Sequence, residues 1–144
     1  MKWILFCGIF SFVLFGASCK KRIEDDIIGA WKVVPMTKPD TNFYVVWEFS
    51  DANILVRRKY VNNIPQQDTF ANVFSVSSKL ENIFVNIELR EGQEFAPTTD
   101  EEGLYRVDRL KSGIMHLTRT EFPDGSTEFV FLRREFVKFS PPGE

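Results

Sequence analysis

The chain has 144 residues, 44% of them hydrophobic and 26% charged, with a net charge of −2, which is the size and balance of one globular domain and excludes a disordered tail. A mildly acidic chain has no electrostatic reason to seek nucleic acid. Its apolar residues are unevenly spread: residues 1–18 hold Trp3, Phe6, Phe10, Phe12 and Phe15 but a single charge, Lys2, so the remainder is more polar and more acidic than the average.

Met1-Lys2 leads into an uncharged run from Trp3 to Phe15, then the small residues Gly16-Ala17-Ser18 and then Cys19. A positive start, a short apolar core and a small-residue exit are the parts of a secretory signal peptide. The run falls short of the roughly 20 apolar residues of a transmembrane helix, which makes a single-pass anchor the weaker alternative. Cys19 at the exit, preceded by Ala17 and Ser18, resembles the lipobox of bacterial lipoproteins, although Gly16 stands where an aliphatic residue is usual. The resemblance implies removal of residues 1–18 and acylation of Cys19. At about 0.8 kcal/mol per buried methylene, a diacylated Cys would not return to water. Lys20 rather than Asp after the Cys implies, by the same resemblance, the outer membrane. Lys20-Lys21-Arg22 then either lies against anionic headgroups or belongs to a solvated tether over 19–27. Glu24-Asp25-Asp26 leaves both the periplasmic and the surface leaflet open. With Cys7 lost and Cys19 acylated, the mature domain keeps no thiol for a disulfide, a metal or nucleophilic catalysis.

From Ile28 onward the hydrophobic period is two, the spacing of half-buried strands. Ile28–Pro35 is the first. Phe43–Phe49 is the clearest, with Phe43, Val45, Trp47 and Phe49 on one face and Tyr44, Val46 and Glu48 on the other. Ser50-Asp51-Ala52-Asn53 is a turn, Ile54–Val61 a strand, and Asn62-Asn63-Ile64-Pro65 a break. Thr69–Val76 and Asn82–Leu89 form a middle pair, and Gly92–Glu102 is the longest loop. Gly103–Leu110, a turn at Lys111-Ser112-Gly113 and Ile114–Glu121 make a hairpin. Pro123-Asp124-Gly125-Ser126 turns the chain into a last strand, Thr127–Phe139. Eight antiparallel strands in up-and-down order predict an all-β domain over 28–140. Closure into a barrel is favoured over an open sheet or sandwich because it removes exposed edges.

Gly29-Ala30-Trp31 at the mouth of the first strand is similar to the Gly-x-Trp signature of lipocalins. The resemblance implies a lipocalin-like, calycin-type barrel with Trp31 plugging one end beneath a basic side chain of the last strand. Arg133 and Arg134 are the candidates, and only one of them can face inward. Together with the signal, the chain resembles the lipocalin-like lipoproteins of Gram-negative bacteria. It lacks the helix that follows the barrel in typical lipocalins.

Residues for catalysis are scarce. His116 is the only histidine and reads as a satisfied or exposed strand residue, and without Cys a structural zinc site is not expected. No Gly-x-Ser-x-Gly elbow or glycine-rich phosphate loop occurs. Asp100-Glu101-Glu102 reads as a solvated charge run or a weak calcium site lacking the EF-hand pattern. Arg57-Arg58-Lys59 and Arg133-Arg134 split across two strand faces; surface salt bridging is the plainer reading, and an inward Arg would ask for an anionic headgroup or carboxylate. No enzyme activity, cofactor or nucleic-acid partner is expected. Two readings follow. In one, the barrel binds a small apolar or amphipathic ligand among Trp47, Tyr60, Phe74, Phe84 and Tyr105. In the other, its aromatics fill it and an outer face engages an envelope protein or a glycan.

Overall fold

A computed structural model describes residues 21–36, 42–66, 71–90, 101–127 and 132–140. The signal 1–18, Cys19 and most of the predicted Gly92–Glu102 loop lie outside them. Among the described residues nine strands run in chain order: β1 (Gly29–Val34), β2 (Phe43–Phe49), β3 (Ile54–Val61), β4 (Ile64–Pro65), β5 (Ala71–Lys79), β6 (Asn82–Leu89), β7 (Gly103–Lys111), β8 (Ile114–Glu121) and β9 (Arg133–Lys138). Each long strand pairs antiparallel with its neighbours, and β9 pairs with β1 while β2 pairs with both β1 and β3. The ring therefore closes. The fold is an eight-stranded, antiparallel, up-and-down barrel of the lipocalin-like kind, with β4 an appendage to β3.

Turn chemistry explains the short connections. Asn62-Asn63 and Ser112-Gly113 carry positive φ at both residues, which matches the right-handed twist of the strands they join. Leu80, with φ 56, does the same work between β5 and β6 at a cost its side chain cannot offset. β5 extends to Lys79, three residues past the predicted Val76, because its register with β6 runs unbroken from Asn72↔Leu89 to Lys79↔Asn82. Within the predicted last strand, Thr127–Phe139, Thr127 bridges to Glu121 and β9 covers Arg133–Lys138, while residues 128–131 lie outside the described residues.

The core is the inward face of the ring. Trp31, Trp47, Phe49, Leu55, Phe74, Val76, Val85, Ile87, Tyr105, Met115, Leu117 and Phe136 are buried together. Trp47 is central to it, with ring centroids of Phe136 at 5.0 Å, Phe49 at 6.2 Å and Tyr105 at 6.3 Å. Each fully buried apolar side chain contributes about 1.5–3 kcal/mol, and a well-oriented aromatic pair about 0.5–1.5 kcal/mol more.

The tether expected over 19–27 is corrected from residue 21 onward: residues 21–27 are helical. Ile23 and Ile27 stand four apart and so share a helix face. Ile27 is fully buried in the barrel core with Ile23 packed against it, and Trp31 Nε1 donates to the Ile27 carbonyl at 2.7 Å. The segment caps the end of the barrel where β1 begins. No helix among the described residues is long and apolar enough to cross a membrane.

Candidate functional site

The registers define two ends. At the capped end lie Gly29, Phe49, Ile54, Ile114 and Lys138; at the far end lie Val34, Phe43, Val61, Leu89, Gly103 and Arg133.

The capped end is closed by a cation on an indole. Lys138 Nζ sits 4.4 Å from the centre of the Trp31 ring and donates to the Ile28 carbonyl at 2.8 Å. The assignment of Arg133 or Arg134 to this role is corrected. Register pairs Trp31 with Lys138, whereas Arg134 lies four residues away, about 13 Å along the strand. Parity could have found Lys138, since it shares a face with Phe136. Burial pushes the Lys138 ammonium below its ordinary range, and nearby Asp26 partly opposes this. Gly29 is what admits the lysine: its φ is +118, and a Cβ there would stand 2.8 Å from Lys138 Nζ. A recess of about 750 Å³ opens beside this end, lined by Arg22, Ile23, Asp26, Trp31, Leu110 and Lys138 among others.

Toward the far end the inward face turns polar. Arg134 follows Phe136 by parity; its Cζ lies 6.0 Å from the Trp47 ring centre and its Nη2 2.6 Å from Glu101 Oε2. Arg119 on β8, 7% exposed, is in register with Tyr105 and donates weakly to the Glu102 carbonyl at 3.4 Å. Its guanidinium also covers the Phe122 ring at 4.7 Å. Tyr105 is fully buried and donates its hydroxyl to the Glu101 carbonyl at 2.8 Å. Burial, then the Glu101 charge, push its phenol up to about 12 against the pull of Arg134 and Arg119. Glu101 and Glu102 are therefore not a solvated run: Glu102 is 3% exposed and Glu101 faces Arg134. Asp100 lies outside the described residues.

Arg57 is the buried member of its basic triplet, sharing its strand face with the exposed Lys59. It is 8% exposed, in register with Trp47, and its buried Nε has no hydrogen-bond partner. Arg58 points outward to Glu48 at 2.9 Å, the surface ion pair expected of it. Lys59 covers Phe43 at 4.4 Å. Asn72, 2% exposed, donates to the Glu88 carbonyl at 3.2 Å while its Oδ1 has no partner. Neither Asn72 nor Arg119 stood out in the sequence, because a polar residue at an inward position reads as a break in the alternation.

The five proposed ligand contacts do not form one set. Trp47, Phe74 and Tyr105 are in the core, at 1%, 4% and 0% exposure. Tyr60 and Phe84 lie on the outer wall. Tyr60 stacks on Tyr44 at 5.0 Å and meets Phe139 at 5.5 Å, with Lys32 over Tyr44 at 4.1 Å. Phe84 immediately precedes Val85, which is fully buried, and so takes the opposite face. Arg133 also points outward, 2.7 Å from His116 Nδ1 and 3.2 Å from Glu135. A second recess, about 420 Å³, opens where β6 and β7 part at the far end, lined by Ile87, Leu89, Glu102, Leu104 and Phe122 among others. Among the described residues no three His, Cys, Asp or Glu converge as metal ligands. Comparison with known proteins finds no matching family model, curated protein or solved structure.

Proposed function

We propose that this chain is a lipid-anchored lipoprotein of the cell envelope, held in the outer membrane through Cys19, whose barrel binds a small apolar or amphipathic ligand without catalysing a reaction. The observation that carries the binding reading is the asymmetry of the barrel. One end is closed by residues 21–27, Trp31 and Lys138, while the inward face toward the other holds Arg57, Asn72, Arg119 and Arg134 beside an aromatic wall. Binding sites combine apolar walls with a few placed polar groups in this way. The anchor rests on the Lys2-to-Cys19 pattern. Native mass spectrometry of protein isolated without denaturant tests the binding, with a co-purifying small molecule as the expected result. Fractionation of Cys19→Ser tests the anchor: the variant is expected to leave the membrane fraction, and retention there would refute it.

A second reading, a solid barrel that engages an envelope protein or glycan, is favoured by the filled core around Trp47 and Phe136. Crosslinking in intact cells that traps one consistent partner, with no ligand seen by mass spectrometry, would select it.

A further inference from the structure

We propose that Arg57 is the docking point for an acidic headgroup, a carboxylate or a phosphate, on an amphiphile that enters the barrel at its far end. The inference rests on the ligand-binding reading and adds the charge of the ligand and the residue that holds it.

The three inward arginines differ in what answers them. Arg134 meets the Glu101 carboxylate at 2.6 Å, although its buried Nε, too, makes no hydrogen bond, and Arg119 donates to the Glu102 backbone carbonyl at 3.4 Å. Arg57 is as buried as Arg119, yet among the described residues no carboxylate pairs with it and its Nε makes no hydrogen bond. Packing does not require this arrangement. An apolar side chain at the same inward position would continue the core, and burying a guanidinium without a counter-charge opposes folding. A planar cation with a free N–H, kept in a largely apolar interior, is the group best suited to take a carboxylate or phosphate oxygen.

The surroundings fit an amphiphile. Arg57 is the backbone partner of Trp47 across the β2–β3 ladder, and Arg134 lies 6.0 Å from the Trp47 ring. Arg119 stands across the β7–β8 ladder from Tyr105, whose ring meets Trp47 edge-on. Arg57, Arg119 and Arg134 thus come to the inward face from three different strands, β3, β8 and β9, and of these Arg134 is answered by the Glu101 carboxylate. The unpartnered Asn72 Oδ1 on β5 adds an acceptor for a hydroxyl or protonated oxygen of the same headgroup. Nearer the mouth, Phe43 shares the inward face of β2 with Trp47 and is 42% exposed, leaving apolar surface for a tail. A neutral apolar ligand would use Phe43 and leave Arg57 unanswered.

The test titrates the full-length protein with octyl phosphate, octanoate, octanol, octyltrimethylammonium and inorganic phosphate, read by Trp fluorescence and thermal unfolding. The two acidic amphiphiles are expected to bind at least about tenfold more tightly than octanol, and octyltrimethylammonium not at all. Arg57→Met should lose about tenfold or more of the octyl phosphate affinity while its ligand-free melting temperature stays level or rises by a few degrees. Arg57→Lys keeps the charge and should retain part of the affinity, which holds the test open if the Met variant misfolds. Equal binding of octanol and octyl phosphate, or undiminished binding by Arg57→Met, would overturn the role of Arg57 and leave the ligand-binding reading standing. Inorganic phosphate binding as tightly as octyl phosphate would overturn the amphiphile. If no probe binds and native mass spectrometry finds no ligand, both the headgroup site and the binding reading fall.

Discussion

Lys138 and Trp31 lock the two ends of the described barrel sequence to each other: a cation from β9 rests on an indole from β1, 4.4 Å from its centre, and reaches past it to the Ile28 carbonyl. The contact joins the strands whose pairing closes the ring, so it bears on closure as well as on local packing. Lys138→Met keeps much of the stem but removes the cation–π contact and one hydrogen bond, and should cost about 1–2 kcal/mol. Trp31→Ala should cost about 3–5 kcal/mol. Gly29→Ala should behave like the lysine variant or worse, because a Cβ there meets Nζ at 2.8 Å and the φ of +118 is strained for any side chain. Urea unfolding with a common slope measures all three, and a Lys138→Met variant as stable as the parent would remove the contact from the account.

Tyr105 sets an alkaline limit. Its phenol is held at about 12 against an ordinary value of 10.0, by burial first and by Glu101 second. The folded state therefore keeps this proton where the unfolded chain gives it up. The stabilisation is fully present below pH 10 and is lost as pH rises from there through about 12. Tyr105→Phe should lose about 1 kcal/mol at neutral pH, the worth of the hydrogen bond to the Glu101 carbonyl. It should also fall less steeply between those limits. Chemical unfolding at a series of alkaline pH values distinguishes the slopes, and parallel curves for parent and variant would refute the assignment.

The barrel was legible where the alternation was pure, and obscured where it was not. Val45, Trp47 and Phe49 announce β2 because every inward residue is apolar, and the same holds for Val85 and Ile87 in β6. β3 has the bounds the sequence predicts, Ile54–Val61, but its inward face could not be read. Arg57 takes an inward place opposite Trp47, so charge falls where period two asks for apolar bulk. In β7 the register slips between Val107 and Arg109, and both Val107 and Leu110 pack against the core although three residues apart. No strict alternation can show that. Residues 21–27 are too few to display a helical period, and what ties them to the domain, Ile27 buried with Ile23 packed against the core and the Trp31 hydrogen bond to Ile27, is long-range contact and not local pattern. The basic partner of Trp31 was hidden for a different reason: strand register is a long-range property, and the lysine four residues past Arg134 is chosen by β1, not by its own neighbours.

Leu80 marks an unoptimised turn. It is 94% exposed with φ 56, joining Lys79 to Asn82 across a two-residue connection. A leucine in that conformation gives up roughly 1 kcal/mol relative to glycine, and its side chain returns nothing because it packs on nothing. Leu80→Gly should therefore raise stability by about 0.5–1 kcal/mol, the opposite sign to most substitutions, after allowing for the extra freedom of glycine in the unfolded chain. It should also lower any tendency to associate through this hairpin. A drop in the thermal midpoint would show that the turn needs its side chain.

Asp108 occupies the β7 irregularity and turns it into a polar clasp. Thr118 Oγ1 on β8 and Arg106 Nε on its own strand both donate to its carboxylate, the latter at 2.7 Å. Partial burial alone would raise the Asp108 carboxyl, but these two hydrogen bonds, with the charges of Arg106 and Arg133, outweigh it together and hold it below its ordinary value of 3.8. A carboxyl depressed in the folded state contributes stability that is present above the unfolded value and disappears as pH falls through the folded one. Asp108→Asn should accordingly lower stability by about 1 kcal/mol at neutral pH, a figure reduced for solvent screening. Its acid limb below pH 3.8 should be flatter than that of the parent. Thr118→Val should remove one of the two donors and move the parent's acid transition to higher pH. If Asp108→Asn and the parent lose stability with the same acid slope, the clasp does not titrate, and the bulge is held by backbone geometry alone.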